Sequence, residues 1–117
     1  MIQVESGYAA DAVSPKGAIG LMQIMPDTAR RYGLANPESA LRNPKVNIEL
    51  GARHLSTLKR TFGGDLRLVL AGYNAGEQAV MNHGRRIPPY AETRAYVRDV
   101  IDRYVARKSC GEQGGCS

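Results

Sequence analysis

The chain has 117 residues, 43% hydrophobic and 23% charged, a balance ordinary for a soluble globular protein and a length that holds one domain without a second full core. Sixteen basic residues against eleven acidic ones leave a net charge of +5, which favours encounter with polyanions such as nucleic acid, anionic lipid or a wall bearing carboxylates and phosphates; a solvated basic surface is the plainer alternative. Nucleic-acid binding has no motif behind it, because Arg30-Arg31 and Arg85-Arg86 are pairs rather than a patch and the seven aromatics do not interleave with them. The longest strongly apolar stretch, Leu66 to Tyr73, is interrupted by Arg67 and falls far short of the ~20 residues of a membrane span.

In chain order, Met1 to Tyr8 reads as the end of a helix, and no cationic-then-apolar leader precedes it, although a leader removed from a mature form would leave no trace. Ala9 to Gly20, with Ser14-Pro15 and Gly17, reads as a loop. A short helix is expected after Pro26, from Asp27 to Tyr32. Asn43-Pro44 then opens a longer one, since Asn can cap and Pro suits the first helical position. Its apolar face is expected to run through Ile48, Ala52, Leu55, Leu58 and Phe62, with Gly63-Gly64 as the stop.

Asp65 is a second capping residue, ahead of a helix from Leu66 to about Ala75 that is apolar almost all round and so expected to be buried. A short helix from Gly76 to about Asn82 follows. After Pro88-Pro89, Val97, Val100, Ile101, Tyr104 and Val105 recur at helical spacing, which predicts a last amphipathic helix ending before the Gly-rich tail. No convincing period-2 run of β-branched residues occurs, and the expected class is all-α. Cys110 and Cys116 lie in the tail with no nearby His and no common zinc spacing; a small disulfide-closed loop is favoured over two free thiols.

Few residues suggest chemistry alone. Glu5 lies among Ile2, Val4 and Tyr8, and a carboxyl held against apolar groups can stay protonated and act as an acid, although a solvated surface charge is the commoner fate of such a glutamate. His54 and His83 form no metal-binding spacing and read as surface or packing residues, so no metal or cofactor is expected. Ser6 has no neighbouring His, and no nucleophile-elbow motif occurs. Gly17-Ala18-Ile19-Gly20 is unlike a phosphate loop and reads as a tight turn.

The combination is more specific than its parts. Glu5-Ser6-Gly7-Tyr8 is followed by Ser14-Pro15-Lys16-Gly17-Ala18-Ile19-Gly20-Leu21-Met22-Gln23-Ile24-Met25-Pro26. Ala71-Gly72-Tyr73-Asn74-Ala75-Gly76, then Ile87-Pro88 and Glu92-Thr93-Arg94-Ala95-Tyr96-Val97, come later in the same order. This arrangement strongly resembles the soluble lytic transglycosylase family, over essentially Ile2 to Tyr104.

The resemblance implies a lysozyme-like fold of the goose type, with residues 1–108 as the catalytic domain and 109–117 as a flexible tail. It implies cleavage of the β-1,4 bond between N-acetylmuramic acid and N-acetylglucosamine in peptidoglycan, leaving 1,6-anhydro-muramic ends. Glu5 matches the single catalytic acid/base, and help from the substrate's own N-acetyl oxygen removes the need for the second carboxylate of most glycosidases. Ser6 is implied as a polar partner near the sugar or as the donor of a helix-end hydrogen bond. Gln23 and Met25 match positions lining the sugar cleft, Gln23 by hydrogen bonds and Met25 by apolar contact or, alternatively, core packing; Met22 is expected in the core. Tyr73 is implied to place its hydroxyl near Glu5 or the acetamido group, and Asn74 to bind in the cleft or anchor a turn. Glu92 and Tyr96, one turn apart, match the last motif: Glu92 binds sugar, braces the site or merely charges a helix start, and Tyr96 orients Glu5.

Two departures stand out. Gly72 replaces a frequent alanine, leaving more room at some cost in helix stability. Only Met1 to Val4 precede Glu5, where family domains carry a full catalytic helix and at least one more. Three functional expectations follow: an active transglycosylase, a lysozyme-like hydrolase on the same fold, or an impaired fragment that only binds glycan or a partner. The partners implied are glycan strands, with a cell-envelope secretion apparatus, a phage or wall turnover as settings, and the location implied is the periplasm, the cell envelope or the exterior.

Overall fold

A computed structural model describes the backbone of residues 1–113 and the side chains of residues 1–106. The chain folds as two compact units, residues 2–56 and residues 57 onward, with the division inside a long helix.

In the first unit, α1 (Ile2–Ser6) ends as expected, on Gly7 at φ +61°, whose N–H donates to Gln3 O at 3.0 Å. The following loop carries its own order. Ser14 N–H donates to Ala18 O, and Ala18 N–H donates back to the Ser14 hydroxyl oxygen, both at 2.9 Å, across a tight turn that needs Gly17 at φ +96°. Ile19 and Ile24 then pair reciprocally at 3.0 Å in both directions. Two isolated bridges, Val13 with Ile19 and Ile19 with Ile24, are the extent of β-pairing among the described residues. α2 (Pro26–Arg31) starts on proline, and so does α3 (Pro37–Ala40), a single turn too short to carry a helical period. α2 and α3 pack together, with Arg30 reaching both Asp27 and Glu38 on the exposed side.

α4 (Pro44–Thr61) starts where Asn43 predicts, with Asn43 Oδ1 accepting from the amides of Lys45 at 3.0 Å and Val46 at 3.4 Å. Its buried stripe differs from the expected one. Leu58 and Phe62 are buried as expected and Leu55 is half-buried, but toward the N-terminal end Ile48 and Ala52 are exposed, and Asn47, Leu50 and Gly51 are buried instead. The two stripes have the same helical period; the observed one passes through a polar residue and a glycine, which an apolar count does not score. Gly51 lets Met22 press directly on the helix, where a Cβ would overlap the Met22 sulfur.

In the second unit, α5 (Leu66–Ala75) is capped by Asp65, whose carboxylate accepts from the amides of Arg67 and Leu68. Leu66 is exposed, so the burial of α5 is concentrated in Val69, Leu70, Ala71 and Gly72. The helix packs against α6 (Glu77–Asn82) and α7 (Ala91–Gln113). The space that Gly72 was expected to leave open is already filled, because a Cβ there would lie 3.0 Å from Phe62 and 3.3 Å from Leu58. On α7, Thr93, Tyr96, Val97 and Val100 are buried, but Tyr104 and Val105 are 58% and 55% exposed, so among the described side chains its apolar face is buried only as far as Val100. α7 runs through Cys110 and Gly111, past the expected start of the tail. The expected Cys110–Cys116 loop lies outside the described residues.

Candidate active site

The residues singled out from the sequence divide between the two units. Glu5, Ser6, Gln23 and Met25 belong to residues 2–56, and Tyr73, Asn74, Glu92 and Tyr96 to residues 57 onward.

Glu5 sits one residue before the end of α1 and is partly buried. The next side chain fixes that helix end. Ser6 Oγ donates to Leu21 O at 2.9 Å and lies 3.2 Å from Ile2 O one turn back, so it sits between the helix end and the loop. A hydroxyl has one proton to give, and the shorter contact is the tether to the loop.

The loop itself is built on Asn47, which is fully buried on α4. Asn47 Nδ2 donates to Ile19 O and Leu41 O, both at 2.9 Å, and its Oδ1 accepts from Met22 N at 2.8 Å. Such a side chain is tolerated inside a core only when its polar atoms are matched, and here both amide hydrogens and the oxygen have partners. Gly20, at φ +80°, passes so close to the Asn47 amide and the Leu41 carbonyl that no Cβ would fit. Gln23 adopts φ +49°, uncommon for a side-chain-bearing residue, and donates its amide to Ala12 O at 3.0 Å and Gly20 O at 2.9 Å. Its nitrogen is therefore spent on holding the loop, and Oε1 is the end it can offer a ligand. Met25 is 40% exposed, so the core-packing alternative for it does not hold, while Met22 is buried as expected.

In the second unit, Tyr73 and Asn74 lie next to each other on α5 and are both partly buried. Thr93, nearly inaccessible on α7, donates its hydroxyl to Asn74 Oδ1 at 2.9 Å. That bond occupies the acceptor end of the Asn74 amide and leaves its Nδ2 donors as the end a ligand can meet. Glu92 and Tyr96 share a helix face by spacing but not by environment, because Glu92 is exposed in the first turn and Tyr96 is buried. Both histidines pack: His54 Nδ1 lies 3.0 Å from the Tyr32 hydroxyl, and His83 Nδ1 lies 2.8 Å from Ala79 O, which makes it the protonated nitrogen. Among the described residues no three His, Cys, Asp or Glu side chains gather as metal ligands.

Asn47 and Thr93 are the residues that reasoning from sequence gave no role. Thr93 stood inside a quoted motif, so its position was visible though its task was not. Asn47 carried no signal, because its partners at 19, 22 and 41 obey no spacing rule.

The sequence profile of the "Transglycosylase SLT domain" family matches residues 1–93. The soluble lytic murein transglycosylase of Escherichia coli is 35% identical over 116 residues, an alignment covering 83% of this chain and 18% of that protein. The solved structure of a 70 kDa soluble lytic transglycosylase from Escherichia coli superposes with a TM-score of 0.73 at 33% identity, covering 85% of this chain and 19% of the other. An inactive mutant of the lytic transglycosylase Slt from Pseudomonas aeruginosa gives a TM-score of 0.67 at 35% identity, over 82% and 18% of the two chains. The chain thus spans about a fifth of the length of these relatives. Its all-α, lysozyme-like class is the one expected from sequence.

Proposed function

The chain belongs to the transglycosylase SLT domain family, and from that premise we propose that it is a peptidoglycan lytic transglycosylase with Glu5 as its acid and base. The observation that carries the proposal is the position of Glu5: partly buried at the end of α1, in the family's motif, on a helix end tied to the loop of Gln23 and Met25.

The reaction asks for one carboxyl. Protonated Glu5 gives its proton to the oxygen linking N-acetylmuramic acid to the next N-acetylglucosamine, and the bond from that oxygen to the anomeric carbon breaks. The acetamido oxygen of the same muramic acid bonds to the anomeric carbon from the opposite side and neutralises its charge. The Glu5 carboxylate then removes the proton of the C6 hydroxyl as O6 attacks the anomeric carbon and expels the acetamido oxygen. The product is a 1,6-anhydro ring, Glu5 is protonated again, and no water is consumed. A hydroxyl on the same ring has a far higher effective concentration than a competing nucleophile from solution.

Within this proposal Met25 gives the sugar an apolar contact and Gln23 offers its Oε1. Asn74 offers Nδ2 to a sugar oxygen, and Tyr73 its hydroxyl. Glu92, exposed, suits a polar sugar contact, and Tyr96, buried, suits bracing. Peptidoglycan lies in the periplasm or outer envelope, which is where the chain would work, and the +5 charge suits a wall bearing carboxylates and phosphates. A cell-envelope secretion apparatus is the protein partner proposed.

The test is Glu5→Gln, which keeps shape and removes the transferable proton. Sedimentation with insoluble peptidoglycan is expected to be unchanged while release of soluble fragments stops. Release that continues in Glu5→Gln contradicts the assignment.

A further inference from the structure

We infer that Asn47 is a positioning residue for the proposed reaction, acting on the Glu5 end of α1 through the peptide group that joins Leu21 to Met22. The inference rests on Glu5 working as proposed above.

The C=O and N–H of that peptide belong to one rigid plane. Its oxygen accepts from Ser6 Oγ at 2.9 Å, and its nitrogen donates to Asn47 Oδ1 at 2.8 Å. Rotating the plane to improve one bond spoils the other, so Asn47 fixes the direction in which Leu21 O points, and that direction fixes Ser6. Hydrogen bonds in series across an amide also strengthen each other. Ser6 follows Glu5 directly, so the carboxyl inherits the placement of the helix end.

Asn47 is itself immobile. It is fully buried, its Nδ2 is held by two carbonyl oxygens from separate segments, and Gly20 closes against it without a side chain. An apolar residue of similar size would fill the space but take the Oδ1 acceptor away from the Met22 N–H and loosen the Leu21–Met22 plane. A polar residue in this place costs helix propensity and desolvation, and specificity of loop geometry is the return.

A residue that only supports folding lowers the amount of folded protein, whereas one that positions Glu5 lowers turnover per folded molecule. Single Ser6→Ala and Asn47→Ala chains and the double variant are compared on purified glycan strands, with activity normalised to folded protein. Asn47→Ala is expected to lower kcat by roughly ten- to a hundredfold, the cost of about an ångström of misplacement, with KM little changed. The double variant is expected to be no slower than the slower single one, because both changes cut the same connection. Multiplying effects, or a loss confined to KM, would overturn the inference.

Should Asn47→Ala not fold, the connection is read from its other end. In 15N-labelled Ser6→Ala, the Met22 amide is expected to lose hydrogen-exchange protection and the Asn47 side-chain amide resonances to shift. Unchanged protection and resonances overturn the coupling. A wild-type chain that releases nothing contradicts the functional proposal instead, and the amide measurements then decide the coupling alone.

Discussion

Ser6 and Asn47 hold opposite ends of a single peptide group: Ser6 Oγ donates to Leu21 O, and Asn47 Oδ1 accepts from Met22 N. The end of α1 and the buried side of α4 are thereby tied to one point of the loop that carries Gln23 and Met25. Loops are ordinarily the soft part of a domain. This one is held by its own glycine turns, a reciprocal Ile19–Ile24 pair and one buried amide.

Two glycines of that loop separate backbone strain from crowding. Gly17 and Gly20 both have positive φ, but a Cβ at Gly17 meets nothing within 4 Å, while at Gly20 it meets the Asn47 amide and the Leu41 carbonyl. Gly17→Ala is expected to cost about 1 kcal/mol, the strain of a left-handed residue alone. Gly20→Ala is expected to cost more than about 3 kcal/mol, since overpacking against backbone adds to the same strain. Urea unfolding of the two variants checks the order.

Thr93 makes a sharper chemical prediction. Thr93→Val keeps the volume and removes the hydroxyl from Asn74 Oδ1, an expected loss of about 1–3 kcal/mol for an acceptor stripped of its donor. Thr93→Ser retains the hydroxyl and is expected to keep most of the activity, although it loses a buried methyl. Denaturant midpoints together with fragment release from peptidoglycan measure both. Equal activity in the two variants would remove Thr93 from any role in aiming Asn74.

Gly72 is expected to resist the ordinary improvement of a helix. Alanine there gains about 1 kcal/mol of helix propensity. The added Cβ must displace Phe62 and Leu58, at about 1–3 kcal/mol. Gly72→Ala is therefore expected to be neutral to mildly destabilising by thermal unfolding, and Gly72→Ala combined with Leu58→Ala to be less damaged than the sum of the two. Additive losses would show that the crowding is relieved elsewhere.

The helices were legible where a start or stop is local. Asn43 and Asp65 cap as their side chains predict, and Gly7 and the Gly63-Gly64 pair mark helix ends. α3 escaped because a four-residue turn is too short to show a period. The face of α4 is right at Leu58 and Phe62 but off by one residue at Ile48 and Ala52, because Asn47 and Gly51 are buried without being large or apolar. α7 outran the expected stop because glycine and cysteine near its end did not break it. Among the site residues, Glu5, Gln23, Met25, Tyr73, Asn74, Glu92 and Tyr96 stood in ordered motifs. Which end of the Gln23 and Asn74 amides is taken up by the protein depends on how the loop folds back on Ala12 and Gly20 and on Thr93 of another helix, which no residue pattern encodes.

The central claim concerns how Glu5 leaves the cleaved glycan. Digestion of purified peptidoglycan by the chain, followed by mass spectrometry of the released muropeptides, distinguishes the two outcomes by one water. Fragments that are one water lighter and lack a reducing muramic end are predicted, absent with Glu5→Gln. Reducing ends at full mass would contradict the account and make the chain a hydrolase.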